Sequence, residues 1–144
     1  QLNYILAPHE LDNIDSIQRR TKGLLYSKYK ENKLITSNIL IIDKIGILSN
    51  LYQYGDLAYI GGGFGKGIHN ILEPLTFGVP VIFGPNYKKY NEAKDVLRKG
   101  IGCSISNLKE LSNAFKELAV IDNKLALDYI KKNSGATKKI LSYI

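Results

Sequence analysis

Short runs of apolar residues alternate along this chain with longer stretches in which apolar positions recur at helical spacing. Residues 4–7, 39–42, 57–60, 79–83 and 101–105 are apolar at successive positions over about five residues, the pattern of strands covered on both faces. Leu11, Ile14, Ile17, Thr21 and Leu24 repeat with a helical period. So do Leu108, Leu111, Phe115 and Leu118, behind a cap supplied by Ser106 or Asn107. Asp122 can cap a further helix that runs to about residue 133, with Gly135 as its stop. Residues 136–144 read as another short helix or a tail packed back on the sheet. Strands alternating with helices over short connections predict an α/β fold, an open, doubly wound and mostly parallel sheet. With no repeat, linker or low-complexity segment, residues 1–144 read as one domain.

In such a sheet ligands bind beyond the carboxyl ends of the strands. Polar or glycine-rich sequence follows four of the five predicted strands: Pro8-His9-Glu10, Asp43-Lys44-Ile45-Gly46, residues 61–70, and Gly84-Pro85-Asn86. The richest is Gly61-Gly62-Gly63-Phe64-Gly65-Lys66-Gly67-Ile68-His69-Asn70-Ile71-Leu72-Glu73-Pro74, five glycines in seven residues between a strand and a helical stretch. Glycine admits positive φ and close approach of a ligand to the main chain. N–H groups at the start of the following helix would make an anion site, so a bound phosphate is the sharper reading and a turn packed on the sheet the blander one. The spacing matches neither the dinucleotide fingerprint nor a nucleoside triphosphate loop. Glu73, about a turn into the expected helix, could accept two hydrogen bonds from vicinal hydroxyls, or simply complement the helix dipole. His69 and Asn70 could face a ligand or cap the helix.

Composition narrows the class further. Twenty Lys and Arg against 13 Asp and Glu give a net charge of +7, and 44% hydrophobic residues argue against disorder. The excess lies in the first 33 residues and after Tyr87, densest at Lys88-Lys89, Lys131-Lys132 and Lys138-Lys139. Such a surface suits polyanions or an anionic membrane face, or is simply a solvated lysine face. No zinc-finger spacing, RNP-type motif or heptad-linked basic region points to nucleic acid. No apolar run approaches the ~20 residues of a membrane span, and no signal peptide is visible. The lone Cys103 excludes an internal disulfide framework and reads as an inert thiol. A chain that opens at Gln1 and lacks methionine reads as a piece of something longer.

Residues 61–74, followed by Phe77-Gly78-Val79-Pro80-Val81-Ile82-Phe83-Gly84-Pro85-Asn86, resemble the carboxyl-terminal half of 3-deoxy-D-manno-octulosonic acid (Kdo) transferases. Residues 42–52 are similar to that family's Asp-Thr-Ile/Met-Gly-Glu-Leu stretch and its Leu-Tyr. Ala7-Pro8-His9-Glu10 falls where the family often has Ala-Pro-Arg-His. The resemblance covers about residues 4–100. It implies a GT-B architecture of two Rossmann-like domains, of which this chain would be the donor-binding half. It further implies inverting transfer of Kdo from CMP-Kdo to a lipid A precursor, with no metal or other cofactor.

By that resemblance, Gly67, Ile68, His69 and Asn70 meet the CMP phosphate, with Gly63, Gly65 and Lys66 in the loop before them and Asn86 at the next strand end. Glu73 meets the ribose. The loop Lys44, Ile45 and Gly46 borders the cytosine, and His9 and Glu10 lie near the donor sugar or the cleft rim. Lys66 is a candidate for the basic contact the family makes through its arginine. The catalytic base would belong to the acceptor-binding half, so this chain alone is expected to transfer nothing. The parent enzyme would work at the cytoplasmic face of the inner membrane of a Gram-negative bacterium. Two alternatives remain: a GT-B transferase or epimerase with a uridine donor, and a non-catalytic basic domain. A Rossmann oxidoreductase fits least, because the fingerprint is broken and no acidic residue follows at its expected place.

Overall fold

The structure, a computed structural model, describes residues 2–29, 37–135 and 140–143. The chain divides into two compact units, residues 1–50 and 51–144.

The first unit carries a three-stranded parallel sheet. Strands β1 (Tyr4–Leu6), β2 (Leu24–Leu25) and β3 (Ile39–Ile41) lie in the order β1-β3-β2. Leu6 and Leu25 both sit in register with Ile41, so the loops after all three strands leave from one edge. Helix α1 (Ile14–Thr21) ends where Lys22 takes a left-handed conformation, φ 55°. The helical period had carried through Leu24. That residue instead opens β2, because the left-handed residue turns the chain and buried Gly23 lets it run against Ile41. A β-carbon on Gly23 would lie 2.8 Å from two Ile41 side-chain atoms. Helix α2 (Tyr26–Tyr29) follows at once.

Helix α3 (Leu48–Leu51) spans the boundary in sequence. Beyond it the second unit is a sheet of β4 (Ala58–Ile60), β5 (Val81–Phe83) and β6 (Gly102–Ser104), parallel and in sequential order. All three residues of β5 are fully buried, and the two faces of the sheet explain why. Val81 and Phe83 pack with Leu75 of α4 (Leu72–Leu75), Ala93 and Val96 of α5 (Asn91–Arg98), and Ala126 and Tyr129 of α7 (Asn123–Asn133). Ile82 points the other way, into a cluster with Ala114 and Leu118 of α6 (Leu108–Leu118). Helices therefore cover both faces, as the unbroken apolar runs predicted.

The caps are local and legible. Asn107 caps α6 by accepting a hydrogen bond from the Glu110 N–H at 3.0 Å, and the Glu110 carboxylate reaches back past the cap to accept from the Ser106 N–H at 2.6 Å. Asp122 caps α7 through the Lys124 N–H at 2.9 Å. Helix α5 was not singled out by periodicity. It presents only Ala93 and Val96 as fully buried positions, too sparse a stripe in eight residues. The reading of residues 136–144 falls mostly outside the described residues.

Candidate functional site

The carboxyl ends of β4 and β5 lie side by side, Ile60 in register with Phe83, so the glycine segment and Gly84-Pro85-Asn86 leave the sheet as neighbours. Gly63 and Gly84 make the contact between them. A β-carbon on Gly63 would fall 2.5 Å from the Gly84 nitrogen, and one on Gly84 2.5 Å from the Gly63 carbonyl carbon. Glycine at both positions thus lets two main chains touch. Asn86 fastens them: its N–H donates to the Gly63 carbonyl at 2.9 Å and its side-chain amide to the Gly65 carbonyl at 2.7 Å.

Within the turn the N–H groups divide by alternation. Those of Gly65 and Gly67 donate to the Gly62 carbonyl, at 2.9 and 3.2 Å, and that of His69 donates to the Gly61 carbonyl at 3.1 Å. The N–H groups of Phe64, Lys66, Ile68 and Asn70 have no acceptor among the described residues. Ile68 anchors the segment by its buried side chain. These amides were expected to act as the start of a helix. The helix begins later, at Leu72, and has four residues, so Gly67, Ile68, His69 and Asn70 precede it. Gly67, with φ +147°, cannot itself be helical, and the Asn70 side chain accepts the Leu72 N–H at the point where the helix opens. Any anion site here is a turn of free amides.

Asn70 links the turn to Glu73. Its carbonyl oxygen accepts from the Leu72 N–H at 2.9 Å, and its NH2 donates to one Glu73 carboxylate oxygen at 2.9 Å. This holds the carboxylate in one orientation with its second oxygen available. Glu73 is half-buried. Burial raises the pKa of Tyr52, and the Glu73 charge raises it further.

A cleft of about 390 Å³ opens next to the turn, lined by Lys66, Pro85, Asn86, Lys88 and Lys89. Glu73 is not part of its lining. Lys88 and Lys89 stood out in the sequence only as a charged pair. Their position after Gly84-Pro85-Asn86, a strand-end loop, was the signal that could have placed them here.

His9, Glu10, Lys44, Ile45 and Gly46 belong to the first unit, in the loops after β1 and β3, which pair in parallel. Asp43, just before that second loop, accepts from the Ser27 N–H at 2.9 Å and from the Ser27 hydroxyl. Burial pushes the Asp43 carboxyl up, but the Ser27 hydrogen bonds and the Lys44 charge outweigh it, and the group sits below the ordinary carboxylate value. A depressed carboxyl contributes stability that is present above its unfolded value, about pH 3.9, and lost as pH falls through the lower folded value. Asp43→Asn is therefore expected to flatten the acid limb of the melting-temperature profile between about pH 5 and 2, and an unchanged limb would exclude the Ser27 contact in solution. Ile45 is 87% exposed at the tip of this loop, where Gly46 has φ +86°.

Half-burial pushes the Cys103 thiol up to about 11, with the Glu117 charge and hydrogen bond adding to it, as expected of an inert thiol. Among the described residues no three His, Cys, Asp or Glu side chains are placed to hold a metal ion, and no helix is long and apolar enough to cross a membrane.

No family model matches the chain. It is 32% identical over 130 residues to a 3-deoxy-D-manno-octulosonic acid transferase of Aquifex aeolicus, covering 88% of this chain and 36% of that protein. It is 37% identical over 130 residues to a bifunctional glycosyltransferase/methyltransferase of Fusobacterium nucleatum, covering 81% of this chain and 20% of that protein. The chain thus spans about a third or less of these relatives. Among solved structures, the C-terminal CMP-Kdo binding domain of WaaA from Acinetobacter baumannii superposes with a TM-score of 0.69 at 19% identity, over 89% of this chain and 71% of that one, and so shares its fold. The α/β architecture is the one read from the apolar runs, and over most of its length the chain is similar to part of several 3-deoxy-D-manno-octulosonic acid transferases.

Proposed function

We infer that this chain is the donor-holding part of a glycosyltransferase that moves Kdo from CMP-Kdo to a lipid A precursor with inversion. The observation that carries the reading is the row of uncommitted N–H groups at Phe64, Lys66, Ile68 and Asn70, beyond the carboxyl end of β4 and next to three lysines. Departure of CMP leaves negative charge on a phosphate, and fixed N–H donors stabilise charge where it develops. Glu73, held by Asn70, supplies an acceptor for the ribose hydroxyls. The CMP-Kdo binding of the structurally similar domain, and the naming of the Aquifex relative, support CMP-Kdo over a uridine donor.

Residues 1–144 would form this single donor domain, with the acceptor site and the base that takes the acceptor proton on a separate amino-terminal domain. The parent enzyme would act at the cytoplasmic face of a Gram-negative inner membrane, where a chain of net charge +7 meets anionic lipid. Calorimetric titration tests the donor assignment. CMP should bind and UDP should not, and Glu73→Gln, whose amide keeps one acceptor oxygen, should weaken CMP about threefold to tenfold. Preference for UDP, or a Glu73→Gln variant that binds CMP as the parent does, would contradict the assignment.

A further inference from the structure

Resting on the donor reading above, we propose that Lys66, Lys88 and Lys89 form an anion subsite beside the glycine turn that takes a carboxylate or phosphate group of the donor. The cleft they line contains no acidic side chain, and among the described residues none of the three makes an ion pair. Three lysines line one cleft, and an anion entering it is attracted by all three charges.

Lys89 is held in place without being neutralised. Its ammonium donates to the Lys66 carbonyl at 3.3 Å and lies 5.1 Å from the centre of the Tyr90 ring. Gly67 makes this placement possible. A β-carbon there would lie 2.6 Å from the Tyr90 hydroxyl and 3.0 Å from Lys89 Cε, so the lysine stem runs against bare main chain. That main chain carries the N–H groups of Lys66 and Ile68, which have no acceptor among the described residues. Asn86 donates both its main-chain and its side-chain N–H to the turn, and so shapes the cleft while leaving the charge to the lysines.

The double variant Lys88→Gln/Lys89→Gln tests the proposal. Both side chains are exposed, so its melting temperature should match the parent's. Calorimetry with CMP and with freshly made CMP-Kdo should show CMP-Kdo bound about tenfold more weakly by the variant. Loss confined to CMP-Kdo assigns the subsite to the sugar carboxylate, whereas an equal loss for CMP assigns it to the phosphate. Equal CMP-Kdo affinity for parent and variant would overturn the subsite and leave the donor reading standing. If the parent binds neither nucleotide, the donor reading fails. The subsite, defined for a group of that donor, then falls with it.

Discussion

Replacing Phe83 by alanine is expected to lower the unfolding free energy by about 3–5 kcal/mol, against the roughly 5–15 kcal/mol that holds a typical domain folded. Phe83 is completely buried at the carboxyl end of the central strand β5 and meets Tyr87 edge to face, with ring centroids 5.4 Å apart at 64°. Its removal loses the transfer free energy of the ring and leaves a cavity bounded by strands that cannot close in, since β4 and β6 are fixed by main-chain hydrogen bonds on either side. Phe64 is the comparison. It is 57% exposed, and Phe64→Ala should cost no more than about 1 kcal/mol. Urea unfolding of both variants gives the two values. Similar losses for both would mean that Phe83 does not fill the core as described.

The second large effect is expected at Gly62. Its φ is +84°, and an added β-carbon would lie 2.3 Å from the Gly67 carbonyl oxygen and 3.2 Å from the His69 ring. Alanine therefore meets two separate penalties. The left-handed conformation costs a residue with a β-carbon about 1–2 kcal/mol, and relieving the overlap costs about 1–3 kcal/mol more. The obstacle is main chain, so no rotamer change removes it. The Gly62 carbonyl also accepts the Gly65 and Gly67 N–H bonds that shape the turn, so the substitution should abolish CMP binding as well as destabilise the fold. Gly46 separates the two penalties. It has nearly the same φ, +86°, with nothing within 4 Å of an added β-carbon. Gly46→Ala should therefore cost only the conformational strain, about 1 kcal/mol. Gly62→Ala should exceed it by at least about 1 kcal/mol in denaturant titrations; matched values would mean that the turn yields freely.

Both effects come from one arrangement. Two parallel strands end in register, and each continues into glycine, so the loops press together and leave alternate amides without an acceptor among the described residues. The clasp from Asn86 to Gly63 and Gly65 makes this a fixed surface. Under the donor reading proposed above, such a surface would suit a departing phosphate, because donors already in place require no reorganisation as charge develops. Asn70 does the same for Glu73 by spending its NH2 on one carboxylate oxygen.

The amino-acid sequence by itself determined the five longer strands, helices α6 and α7 with their caps, and the glycine segment as the place for a ligand. Each of these is written in neighbouring residues: unbroken apolar runs, a period of 3.6, an Asn or Asp ahead of it, and a crowd of glycines. Tertiary structure alone decided three things. The chain leaves its helix at Lys22 so that Leu24 and Leu25 become a strand, since their partner is Ile41 and pairing with a distant residue leaves no local period. The amides of the glycine turn are shared out by the turn's own hydrogen bonds, and Lys89 and Tyr90 lie where a side chain at Gly67 would be. Lys88 and Lys89 join Lys66 because β4 and β5 end side by side, a proximity that parallel pairing creates between residues more than twenty positions apart.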